Sequence, residues 1–115
     1  MLNVPKNIQN IINKFLEEMT AILGNRIKKV ILYGSYARGD YKKDSDIDIM
    51  ILTDLTDDEI VKYRELIWNS TYDLELDNDV TISAVLKNID KFDYWLNALP
   101  FYTNVNKEGI VLSEK

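Results

Sequence analysis

A small α+β (α/β) domain, with a single mixed β-sheet and helices packed mainly on one face, is what the sequence predicts. Three observations predict it. Apolar residues recur at helical spacing over residues 5–23, at Ile8, Ile11, Ile12, Phe15, Met19 and Ile22. Three short runs, Lys29 to Tyr33, Asp46 to Leu52 and Val80 to Leu86, read as strands. Helices and strands interleave along the chain instead of segregating. A length of 115 residues fits one domain spanning 1–115.

Each element has a local reason. The first helix opens at Pro5, which suits a first turn, and stops at Gly24-Asn25. The strand from Lys29 ends at Gly34-Ser35. In the second strand Asp46, Asp48, Met50 and Leu52 share one face, and Ile47, Ile49 and Ile51 share the other. Thr56-Asp57-Asp58-Glu59 has the capping-box pattern and opens a helix running to about Asp77. In the third strand Val80, Ile82, Ala84 and Leu86 face one way, and Asp79, Thr81 and Ser83 the other. Asp90 to Leu99 reads as helix. Pro100 starts a shorter one ending at Gly109, and Ile110-Val111-Leu112 is the last strand.

Composition narrows the chemistry. Fourteen Lys and Arg against nineteen Asp and Glu give a net charge of −5, with no His and no Cys. That excludes disulfides, zinc sites built from those ligands, thiol nucleophiles and His-dependent triads. Chemistry must run on carboxylates, hydroxyls, Lys, Arg or bound ions. A pI near 4.7 argues against tight, sequence-independent binding of nucleic acid. No apolar run approaches the ~20 residues of a membrane helix. Met1 to Asn7 lacks the basic start and apolar stretch of a signal peptide, so the expectation is a soluble cytoplasmic domain.

One segment carries chemistry, residues 34–48. It reads as a strand end, a tight Gly34-Ser35 turn, a polar loop, and a strand that opens with two acids on one face. Residues i and i+2 of a strand point the same way about 7 Å apart, so Asp46 and Asp48 can converge on a divalent ion. Gly34 lets the backbone approach a ligand, and the turn N–H groups with the Ser35 hydroxyl could hold a phosphate. From Asp40 to Glu59 eight acids stand against two lysines, a net of −6. Such a patch repels a triphosphate unless Mg²⁺ intervenes. A Walker A loop fails because Asp40 stands where its Lys belongs, and an EF-hand fails at Ile49 and Leu55. Arg38-Gly39-Asp40 spells an adhesion tripeptide, by coincidence in a chain of this kind.

The segment resembles the polymerase-β-like nucleotidyltransferases, specifically their minimal nucleotidyltransferase (MNT) branch. That family has Gly-Ser, ten residues, then Asp-x-Asp, as in Gly34-Ser35, Tyr36 to Ser45, and Asp46-Ile47-Asp48. Ala37-Arg38-Gly39, Ser45-Asp46 and the closing Lys107-Glu108-Gly109-Ile110 also match. The resemblance implies a polymerase-β palm-like fold and transfer of AMP from ATP to a hydroxyl. It implies Mg²⁺ (or Mn²⁺) on Asp46 and Asp48, and nucleotide binding by Gly34, Ser35, Arg38 and Ser45. Arg38 could equally pair with Asp40. The family's third acid sits within the next strand, where this chain has none. Asp79 is the nearest, with the right parity, as metal ligand or general base; otherwise Ser83 or Thr81 takes that place.

The resemblance also implies a partner, since stand-alone MNT proteins commonly pair with a helical HEPN-type toxin and adenylylate its tyrosine. Two alternatives are a binding protein that neutralises its partner by contact alone and one subunit of an antibiotic-type nucleotidyltransferase. Tyr36 and Tyr41 read as packing at the core edge. Tyr63, Trp68, Tyr72, Phe92, Tyr94, Trp95, Phe101 and Tyr102 exceed what a small core can bury, which predicts a protein partner or a second copy of the chain.

Overall fold

Four short strands form one mixed sheet, ordered β3-β2-β1-β4, in the computed structural model, which describes residues 3–114. Strand β1 (Ile27–Tyr33) runs antiparallel to both β2 (Ile47–Thr53) and β4 (Ile110–Glu114). At the edge, β3 (Ile82–Asn88) lies parallel to β2. A parallel neighbour needs a crossover, and helix α3 (Asp57–Asn78) supplies it.

The long helices α1 (Lys6–Leu23) and α3 cover one face. Ile8, Ile12, Phe15 and Met19 of α1 join a core with Val30, Leu32, Ile47, Ile49, Ile51 and Ile82. The short helices α4 (Ile89–Trp95) and α5 (Pro100–Glu108) cover part of the other face. Their smaller cluster joins Phe92 and Val105 to Ile31, Met50 and Leu52. Period-two alternation assigns the sides, so Asp48 shares a face with Met50 and Leu52.

The expected side-chain faces hold, but several boundaries move. β1 starts at Ile27, because a bulge between Ile27 and Lys29 lets Ile27 pair with Thr53. Asp46 lies one residue before β2. β3 runs over 82–88 where 80–86 was expected: α3 closes with a left-handed Asp79 (φ 52°), and the Val80 N–H donates back to Glu75 O at 3.3 Å. The helix expected over 90–99 stops at Trp95, where Ala98 and Leu99 N–H both turn back to Trp95 O. One helical turn, α2 (Ser35–Arg38), occupies what reads in the sequence as loop. The Thr56–Glu59 capping box is present in both directions.

Candidate active site

Gly34 carries the chain from β1 into α2 with φ +75°. A side chain there would be strained, and its Cβ would overlap Asp48 Oδ2 while lying 3.1 Å from Asp48 Cγ. The glycine therefore permits both the turn and the close approach of backbone to carboxylate. Ala37 and Arg38 N–H donate to Gly34 O at 3.1 and 3.0 Å, which closes the turn. The preceding N–H groups stand at a helix start, where no intrahelical partner exists.

Asp48 is half-buried between two cross-strand neighbours, Tyr33 on β1 and Ser83 on β3. Burial pushes its carboxyl above the ordinary aspartate value, the Asp46 charge adds to that, and Arg38 opposes it. The Tyr33 phenol is pushed up to about 12, first by burial and then by the Asp48 charge. Asp46 is exposed at the mouth of β2, held there by the Ile47 N–H donating to Thr81 O at 2.9 Å. The structure thus brings together Gly34, Ser35, Asp46 and Asp48, with Tyr33 and Ser83 at their sides.

The other expected site residues make their contacts outside this group, although the Arg38 charge reaches Asp48. Arg38 Nε donates to Asp40 Oδ2 and its Nη1 to Glu108 Oε2, each at 3.2 Å, so its guanidinium is paired within the chain. Ser45 closes a loop turn, its Oγ accepting from Lys42 N–H at 2.7 Å. Asp79 lines a surface cavity of about 580 Å³ with Ser45, Lys42 and Thr81, which neither Asp46 nor Asp48 lines. No group of three or more His, Cys, Asp or Glu that could hold a metal exists among the described residues. The structure therefore does not unite Asp79 with the acid pair, and the parallel register puts Ser83 beside Asp48 instead. Tyr36 is buried and stacks on Tyr41 at 4.7 Å between ring centroids, the packing role the sequence suggests.

Two neighbours escaped the sequence reading. Glu108 meets Arg38 from 70 positions away, with no local signal of it. Tyr33 could have been found, because an antiparallel turn from Gly34 into β2 places the end of one strand against the start of the next.

The profile of the nucleotidyltransferase domain family matches residues 12–110. A Methanocaldococcus jannaschii protein, named provisionally as a protein adenylyltransferase, is 37% identical over 106 residues, 92% of this chain and 98% of that one. A second from the same organism, named likewise, is 35% identical over 79 residues, covering 69% of this chain and 78% of its own. Among solved structures, a toxin–antitoxin with AMP-PNP superposes with TM-score 0.60 at 23% identity, over 90% of this chain and 73% of that one. A Sulfolobus solfataricus protein, named provisionally as a nucleotidyltransferase, gives TM-score 0.59 at 16% identity, over 100% of this chain and 94% of its own. At these identities the structural likenesses establish the fold.

Proposed function

This chain belongs to the nucleotidyltransferase family, and from that premise we propose that it transfers AMP from ATP to a tyrosine hydroxyl of a helical, HEPN-type partner protein, as an antitoxin, with Mg²⁺ or Mn²⁺. The observation that carries this reading is the Gly34 turn closed against Asp48, with Asp46 two residues before it. Asp46 and Asp48 fit a hard divalent cation. Their oxygens suit Mg²⁺, which takes one or two carboxylates and completes its shell with substrate phosphates and water. Burial, and after it the Asp46 charge, raises the Asp48 carboxyl, and a cation would offset both. When bound, that ion neutralises the triphosphate and stabilises the departing pyrophosphate.

The protein's own residues do the positioning. Gly34 and Ser35 lay the turn N–H groups and a hydroxyl beside the carboxylates, where the phosphates enter. The acceptor oxygen bonds to the α-phosphorus as the bond to pyrophosphate breaks, and the acceptor proton leaves to a carboxylate or to water. Ser83, rather than Asp79, takes the position next to Asp48. Arg38 would have to leave Asp40 or Glu108 to reach a phosphate.

The adenylyl group is supported by the names of the archaeal relatives, and ATP by the neighbour solved with an ATP analogue. Exposed Trp68, Tyr72, Tyr94, Trp95 and Phe101 support a protein partner, while Phe92 alone of the eight surplus aromatics is buried. Among the described residues no helix is long and apolar enough to cross a membrane.

Incubating the chain with labelled ATP and the protein encoded beside it tests the reading. Label should appear on a partner tyrosine with wild type and not with Asp46→Asn. Among the described residues no third acid joins the pair, which favours a second reading, neutralisation by contact alone. In that case the partner is inhibited by wild type and Asp46→Asn alike, with no label transferred.

A further inference from the structure

The outer edge of β3 is unpartnered along most of its length. Ile47 N–H donates to Thr81 O at 2.9 Å, and Thr53 Oγ1 to Lys87 O at 3.3 Å. Odd residues of this strand therefore turn their backbone groups toward β2, and Ile82, Ala84 and Leu86 turn theirs outward. Glu75 satisfies the first, its Oε2 accepting from the Ile82 N–H at 2.9 Å. Among the described residues the N–H and C=O groups of Ala84 and Leu86 have no such partner.

A groove runs beside this edge, under α3. Two cavities of about 480 and 180 Å³ follow one another along it, and Trp68 and Ala84 line both. Trp68 and Tyr72 are 63% and 59% exposed. Charge is graded along the groove, with Arg64 and Lys87 in one cavity and Glu75 in the other.

We propose that a second copy of this chain occupies the edge, β3 pairing antiparallel with its mate about a two-fold axis at Val85. Three features select a second copy. With the axis at Val85, Ala84 faces Leu86 of the partner subunit, and each donates to and accepts from the other, so the outward groups are satisfied mutually. The same axis reverses the groove, which lays Arg64 against Glu75 of the partner subunit. Trp68, central to both cavities, falls beside the axis and meets its own kind, as an isologous contact requires. A helical partner cannot satisfy this edge, because a helix spends its backbone groups internally.

The pairing also changes the site. Ser83 would stand opposite Lys87 of the partner subunit, and opposed residues of an antiparallel pair point to one face. Ser83 is also the cross-strand neighbour of Asp48. Two strand spacings, about 10 Å at the backbone, then separate Asp48 from a second cation, added to Arg38, whose own guanidinium is paired with Asp40 and Glu108. This role for the lysine rests on the proposed function; the pairing does not.

Light scattering on the full chain without nucleotide should give a dimer. Trp68→Glu should raise its dissociation constant by about 30-fold or more, the loss expected for a central aromatic anchor, with the far-UV circular dichroism unchanged. Amide exchange locates the contact: Ala84 and Leu86 N–H are protected in wild type and exchange fast in Trp68→Glu, while Met50 N–H stays protected in both. Ala84→Pro deletes one outward donor and gives the same dissociation if Trp68→Glu fails to fold. Lys87→Met, held dimeric at high concentration, should bind Mg-ATP several-fold more weakly.

A chain that is monomeric at every concentration overturns the pairing, and so does a dimer whose Ala84 and Leu86 amides exchange freely. Unchanged Mg-ATP affinity in Lys87→Met overturns the lysine's role. A monomer that still transfers AMP removes the pairing and leaves the activity standing; a dimer that binds no Mg-ATP does the reverse.

Discussion

Strand β2 presents two faces one side-chain step apart, and they meet different fates. Ile47, Ile49 and Ile51 are fully buried beneath α1 and α3, in a cluster that extends to Phe15 and Met19. On the other face Met50 and Leu52 are sealed by the short α4 and α5, but Asp48 at the near end is covered only in part. The first face holds the fold together. The second tolerates a carboxylate because its cover stops short. Stability and chemistry therefore separate by strand parity, and substitutions on the two faces should fail in different ways.

The largest effect is expected at the acid pair. Asp46→Asn with Asp48→Asn should weaken Mg-ATP binding and transfer by about 10³-fold or more, the worth of several kcal/mol of charge stabilisation. The fold should gain from the change. A carboxyl whose folded pKa is raised costs stability once the pH climbs past its unfolded value, so the variant melts higher than wild type at pH 7. That gain should vanish when the pH falls below the ordinary carboxylate range. Calorimetry and thermal melts against pH would check both halves.

The opposite face should behave inversely. Phe15→Ala should cost about 3–5 kcal/mol in denaturant unfolding, while Mg-ATP affinity per folded molecule stays unchanged. Phe101, half-exposed against Tyr33 on the site's face, should cost about 1 kcal/mol or less when cut to alanine. Equal losses at the two positions would erase the contrast.

Gly34→Val joins the two behaviours. The positive φ alone costs about 1–2 kcal/mol. The new side chain must also displace the Asp48 carboxylate, so nucleotide binding should disappear while most of the melting temperature survives. Full binding in that variant would show that the turn does not set the carboxylate.

Two substitutions at the start of α3 serve as controls, since they touch neither face of β2. Thr56→Ala removes the capping box and should cost about 1 kcal/mol, without effect on nucleotide binding. Glu59→Gln should have the smallest effect. The Arg26 guanidinium holds the Glu59 carboxyl down to about 2, with the Thr56 backbone contributing. A lowered carboxyl stabilises the fold above its unfolded value and loses that contribution as the pH falls toward 2. Wild type should melt slightly above the variant at neutral pH and converge with it near pH 2.

Much of this was legible because it is local. The capping box, the Pro5 start of α1 and the strand faces follow from residue types and spacings within a few positions. So does the Gly34-Ser35 and Asp46-Ile47-Asp48 framework of the site. Apolar spacing that continues through Leu96 and Leu99 overstates the helix after β3, because the chain turns back at Trp95 to let Pro100 begin α5. Alternation begins at Asp46, but β2 pairing starts only at Ile47, so the pattern runs one residue ahead of the strand.

By itself, then, the sequence determined the order and sides of the elements, the acid pair and the glycine turn beside it, because each depends on backbone preference and on periodicity along the chain. Only the tertiary structure decided what stands next to Asp48. The parallel register of β2 and β3 places Ser83 there and leaves Asp79 at the end of α3, outside the acid pair. The reach of Arg38 to Glu108, and the open edge of β3 beneath Trp68, were decided in the same way. Strand register and contacts across dozens of residues are set by how whole elements pack, and no short window of the chain encodes them.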